Sequence, residues 1–233
     1  MKRIFNARNL VIFIFLTFVA SMGYVISRIV LAPTVNLSPD ITVRVKSDYT
    51  LMLLQCAFGL AALFLPTILE RTINLRIPSG MLIAYMIFLY CSIYLGEIRN
   101  FYYALPHWDT ILHTFSGAAL GALGFSLISL LNRSESVAIS LTPLFVAIFA
   151  FCFALALGTV WEIYEFSMDC LLRTNMQKYA LETGASLVGQ AALMDTMKDL
   201  IVDATGALVM SVAGYFSLKR ERTWLKRFQL RKK

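Results

Sequence analysis

Long apolar runs separated by short polar stretches set the pattern of this chain. A helix needs roughly 20 predominantly apolar residues to cross the hydrocarbon of a bilayer. Six runs qualify: Leu10–Leu31, Tyr49–Leu69, Gly80–Gly96, Ile111–Leu131, Leu141–Phe166 and Asp199–Leu218. The pattern predicts an all-α, six-transmembrane-helix bundle forming one domain over residues 1–218, followed by a basic tail over 219–233. The longest connection, Asp169–Lys198, is expected to hold short helical pieces at Tyr179–Glu182 and Leu187–Leu193. Lys2, Arg3 and Arg8 precede the first run, as in a secretory leader. That run is longer than a leader's apolar core, and Pro33 directly follows its small-residue site, so an uncleaved helix is expected, with Arg28 snorkelling outward.

Composition agrees with this pattern. Of 233 residues, 58% are hydrophobic and 15% charged, where a soluble domain carries about a quarter. Mean hydropathy is +0.70. These values exclude a separate soluble domain of ordinary size. Cys56, Cys91, Cys152 and Cys170 have neither metal-ligand nor disulfide-framework spacing and read as small packing residues.

The basic residues set the orientation. With the N-terminus inside, Lys2, Arg3, Arg8, Arg71, Arg76, Arg133 and the eight basic residues of the tail are cytoplasmic, 14 of the 21 Lys and Arg. This positive-inside bias puts both termini in the cytoplasm of a plasma membrane. The tail alone carries a charge equal to the whole-chain +7. It is therefore a topology signal able to touch anionic lipid, and no nucleic-acid partner is expected.

Acidic residues segregate the other way, into three motifs at the outer mouth of the predicted bundle. The first holds Glu97 and Arg99, then His107-Trp108-Asp109, then His113. Asp109 and His113 share a face at i, i+4. The second ends the fifth span with Trp161-Glu162-Ile163-Tyr164-Glu165 and Asp169, one carboxylate stripe. The third is Asp195-Thr196, Asp199 and Asp203, with Asp203 about 12 Å deeper than Asp195 at ~1.5 Å rise per residue. Acids this deep cost on the order of 2.5–3.5 kcal/mol each, so they face a cavity, pair, or bind a ligand. A divalent cation such as zinc or manganese is one compensation, with Asp109, His113, Glu162 and Glu165 as ligands. Asp199 and Asp203 would then position water or act as base. Blander roles stand beside these. Asp195 and Asp109 can be helix caps, and His107 an interfacial loop residue. Ser116-Gly117-Ala118-Ala119-Leu120-Gly121 and Ala204-Thr205-Gly206-Ala207 are small-residue faces that let helices approach closely.

The succession Trp108-Asp109-x-x-x-His113-x-x-x-Gly117, Glu162-x-x-Glu165 and Asp195-Thr196-x-x-Asp199 followed by Gly206-Ala207 resembles the YjdF-like family of small bacterial inner-membrane proteins. More distantly it is similar to the VanZ-like family, though a VanZ-like Glu-x-x-Gln pattern is missing. The resemblance covers roughly residues 80–218. It implies a bacterial plasma membrane and, through the VanZ-like link to teicoplanin tolerance, the cell envelope. It names no substrate.

Three functions are compatible with these residues. One is a protein with an outward-facing His/Asp/Glu pocket acting on a lipid-linked or amphiphilic envelope molecule, enzymatically if metal-assisted hydrolysis or transfer occurs there. No HExxH, phosphatase pattern or nucleophile elbow is present to fix it as an enzyme. The others are a small proton- or cation-coupled transporter and a structural or assembly factor of the envelope. The oligomeric state is open.

Overall fold

The computed structural model describes residues 7–34, 44–72, 74–131, 141–181, 185–220 and 231–232. Among them the chain runs as α1 (Ala7–Leu31), α2 (Lys46–Thr72), α3 (Ser79–Leu89) continued by a π-helix (Tyr90–Ile98), α4 (Phe101–Ala104), α5 (Trp108–Leu131), α6 (Pro143–Leu172) and α7 (Gln190–Lys219). Leu75–Arg76 and Arg231–Lys232 form a two-residue antiparallel pairing. Six helices, counting α3 with its π-helical end, are long and apolar enough to span a membrane. The architecture is therefore an all-helical, six-span, multi-pass membrane protein. Lys2, Arg3, Arg133, Glu182 and most of the basic tail lie outside the described residues.

Local chemistry explains the helix ends. Asp48, in the first turn of α2, accepts the backbone N–H of Val45 at 2.8 Å, satisfying a donor the helix cannot. Thr142 accepts the N–H of Phe145 at 3.3 Å, and Pro143 supplies a preset φ at the first position of α6. The π-helix ends as Arg99 donates to the Tyr94 carbonyl five residues back, and Asn100 turns left-handed at φ 65°.

Two expected elements differ. The last span starts at Gln190 and not Asp199, because Ala191, Ala192, Leu193 and Met194 are strong helix formers that extend it backwards. Only Gln190–Leu193 of the expected piece Leu187–Leu193 is therefore helical. The piece at Tyr179–Glu182 is not a helix in its described part, where Ala180 bridges Ser186. The side chain of Asn175 explains this. It binds both backbone groups of Ala180, donating at 2.7 Å and accepting at 3.0 Å, and so offers the chain a turn in place of a helix.

Apolar side chains cover the outside. Val30, Leu31, Ile148, Val160, Ile201 and Val209 are each more than half exposed. A surface of this kind suits lipid, not water.

The chain forms two compact units. The first comprises Met1–Phe64, Met86–Trp108 and Trp161–Lys198. Its core holds Val25, Tyr49 and Met52, and Gly59 leaves room for the Phe18 ring and Ile93. The second comprises Leu65–Tyr85, Asp109–Val160 and Asp199–Lys233. Phe125, Ile128, Val146, Ala147 and Ala150 form its core. Here α5 approaches α6 where Gly124 meets Ala150, and it meets α7 where Gly214 faces the Phe125 ring. Without a hydrophobic drive between helices in lipid, such close approach is what holds them.

Candidate functional site

The second unit places four sequence-predicted residues together. Asp109 and His113 stand one turn apart on α5, Asp199 and Asp203 one turn apart on α7. Two glycines bring the helices into contact. A Cβ on Gly117 would collide with the Asp203 carbonyl, and one on Gly206 with the Thr114 carbonyl. The small-residue faces read from the sequence thus meet at the level of the acids.

His113 is the hub. Its Nδ1 lies 3.3 Å from Oδ2 of Asp203. Its Nε2 points the other way, 3.7 Å from Oδ1 of Asp109 and 3.9 Å from Oδ2 of Asp199. Asp203 is itself fixed, because Ser116 donates to its Oδ1 at 2.8 Å. Asp199 and Asp203 are 1% and 2% exposed, so this polar group sits inside the protein. Asp203 also touches α6, since a Cβ on Gly158 would fall 2.7 Å from its Oδ2.

These separations have a chemical meaning. At 3.7 and 3.9 Å the Nε2 contacts are too long for hydrogen bonds. They are close to ligand–ligand spacing around a metal: with bonds of about 2.1 Å and tetrahedral angles, ligand atoms stand roughly 3.4 Å apart. One atom each from Asp109, His113 and Asp199 lies within 4.8 Å of the others. The ring's far nitrogen on a carboxylate is the arrangement that orients histidine ligands in metalloproteins.

The geometry thus draws Asp199 into the group with Asp109 and His113, and sets Asp203 behind the ring. Glu162 and Glu165 lie in the first unit. Both are buried there, and Oε1 of Glu165 accepts the indole N–H of Trp161 at 2.9 Å. Tyr164 and Trp161 pack on each other and on Phe58. Asp169 organises the following loop. It accepts from the Thr174 hydroxyl at 2.6 Å and from the backbone N–H groups of Met176 at 2.7 Å and Gln177 at 3.0 Å. Asp195 is no cap, being within α7, and pairs with Lys178 at 3.0 Å. His107 is an exposed turn residue at φ 64°.

Sequence reasoning missed two participants. Ser116 was seen only as a small residue, although its position three beyond His113 puts it on the same face. Gly158 gave no local signal, because its role is to omit a Cβ where Asp203 arrives.

The family model described as "Predicted membrane protein (DUF2238)" matches residues 10–220. An uncharacterized protein of Thermotoga maritima is 27% identical over 157 residues, covering 65% of this chain and 70% of its own length. No solved structure matches.

Proposed function

From the premise that the chain belongs to the DUF2238 family of membrane proteins, we propose that it binds a divalent cation, zinc or manganese, through Asp109, His113 and Asp199. In this reading the site opens to the exterior of a bacterial plasma membrane and acts on the polar head of a lipid-linked or amphiphilic envelope molecule. The YjdF-like resemblance is consistent with the family, and the VanZ-like resemblance contributes the envelope setting. The excess of Lys and Arg on the opposite loops supports the outward orientation.

One observation carries the reading: a histidine within a membrane span has Nδ1 on one buried carboxylate and Nε2 facing two more. Asp203 holds the ring and selects the tautomer that leaves the Nε2 lone pair free to bind. Ser116 holds Asp203 in turn. Three acids around one imidazole are costly at this depth, and a divalent cation is a compensation that fits the donor set. When bound, such a cation polarises a phosphoryl or carbonyl oxygen of the head group. The chain's own part is to fix three donors, exclude lipid, and hold a proton on Nδ1 against Asp203.

The test is metal content of the full-length protein purified in detergent under metal-controlled conditions. About one equivalent is expected in wild type, and at least a tenfold loss in His113→Ala and in Asp199→Asn with the fold retained. A substoichiometric content indifferent to both substitutions would sink the proposal.

A further inference from the structure

In the first unit a cavity of about 500 Å³ lies where the end of α1 meets the approach to α2. Tyr24, Arg28, Arg44 and Tyr49 line it together with the apolar Leu31 and Pro33. An arginine alone at a helix end needs no explanation, because it snorkels to the interface. Two guanidinium groups from separate elements lining one cavity are different, because together they offer an anion more donors than either alone.

Among the described residues, their hydrogen bonds take up few of their donors. Each guanidinium has five N–H donors. Arg28 gives its Nε–H to the Tyr49 hydroxyl at 3.3 Å and lies over that ring. Arg44 gives one donor to the Met52 sulfur at 3.5 Å and one to the Glu97 carbonyl at 3.3 Å. A thioether and a peptide carbonyl are weak partners for a cation. Among the described residues, no carboxylate lies within 4 Å of either arginine, although Asp48 and Glu97 attract Arg44 from further off. Tyr49, in accepting from Arg28, keeps its own hydroxyl proton to donate. The cavity thus gathers donors from two guanidinium groups and a phenol, and its volume falls within the ~300–1,000 Å³ usual for small-molecule sites.

We infer that this cavity binds the phosphate of an anionic ester, held by the forks of Arg28 and Arg44 and by the Tyr49 hydroxyl. Tetrahedral oxyanions suit paired guanidinium forks. The apolar Leu31 and Pro33 in the lining favour a phosphate carried on an amphiphile. None of these residues belongs to the His113 group, so the two readings stand or fall separately.

The experiment titrates full-length protein in detergent micelles with dioctanoyl phosphatidic acid, dioctanoylglycerol and inorganic phosphate, by calorimetry. Phosphatidic acid is expected to saturate at one per chain, at least tenfold tighter than dioctanoylglycerol. Arg28→Gln and Arg44→Gln should each weaken it about tenfold. The Arg28→Lys, Arg44→Lys double variant keeps the charge but loses the forks, so an intermediate loss is expected even where a glutamine variant fails to fold. Competition by inorganic phosphate at equal affinity assigns the site to soluble phosphate esters. Failure to compete assigns it to a lipid head group. Equal binding of the neutral glyceride, unsaturable uptake, or wild-type affinity in the lysine double variant overturns the inference. Metal content in the same arginine variants stays at the wild-type value, so a negative result here leaves the His113 site standing.

Discussion

Asp169 and Asp203 are the same residue type at nearly the same burial, 6% and 2% exposed, one in each unit. Asp169 uses its oxygens on donors from Thr174, Met176 and Gln177, all within the next eight residues. Asp203 uses its oxygens on Ser116 and His113, which are 87 and 90 residues away. The first acid closes a loop. The second orients a titratable ring whose other nitrogen faces two further acids. Burial of a carboxylate therefore says little about its role, whereas the kind and sequence distance of its partners say much. A local set of backbone donors closes a turn, whereas in the proposed reading a distant imidazole is held for binding a cation.

Removing each acid should break this comparison in opposite ways. The largest effect is expected for Asp169→Ala, which deprives two backbone N–H groups and a hydroxyl of their acceptor. With one buried hydroxyl and two half-buried N–H groups left without their acceptor, at about 1 kcal/mol each the loss should reach about 3 kcal/mol. It would be read as lower thermal stability in detergent and faster proteolysis between Arg173 and Gly189. Metal content per folded chain should not change. If it fell in proportion to the stability, the division between a structural and a chemical acid would be wrong.

Asp203→Asn should do the reverse. The amide retains the shape but loses the charge that orients His113, and carboxylates behind a metal-bound histidine are worth about 10–100-fold in affinity. Metal affinity by competition with a chromophoric chelator should fall in that range, with little change in thermal stability. Ser116→Ala acts one step further back, so a smaller loss is expected, about threefold. Gly158→Ala should fall between these. Its Cβ would stand 2.7 Å from the Asp203 carboxylate, which must move to accept it. About a tenfold loss of affinity is expected, and an unchanged affinity would show that the α6 contact does not position Asp203.

The two regions also differ in how far the sequence discloses them. The spans were readable because apolar runs of this length have one use. Asp109, His113, Asp199 and Asp203 were readable as i, i+4 pairs, and the glycines beside them predicted that the two helices approach. What was not readable was which nitrogen of His113 meets which acid, because that depends on the rotation of α5 against α7. The exchange of Asp199 into the Asp109–His113 group arises there. In the first unit the loop was misread at Tyr179–Leu181, since the pairing of Asn175 with Ala180 overrides local helix propensity. The start of α7 differs for the opposite reason: Ala191, Ala192, Leu193 and Met194 favour helix strongly enough to fuse the expected short piece with the last span.

The smallest effect should come from the ion pair joining that loop to α7. Lys178 meets Asp195 at 3.0 Å with its side chain 31% exposed, and a pair this open is worth about 0–1 kcal/mol. Lys178→Met should therefore cost less than about 1 kcal/mol and leave metal content unchanged. The backbone of Lys178 makes a sharper test available. Its φ is 48°, a left-handed conformation that costs a residue with a Cβ about 1–2 kcal/mol relative to one without. Lys178→Gly loses the same ion pair but relieves that strain. It should be at least as stable as Lys178→Met, despite glycine's larger entropy in the unfolded chain. A glycine variant clearly less stable than the methionine variant would mean that the turn at Lys178 is not held as the Asp169 contacts require.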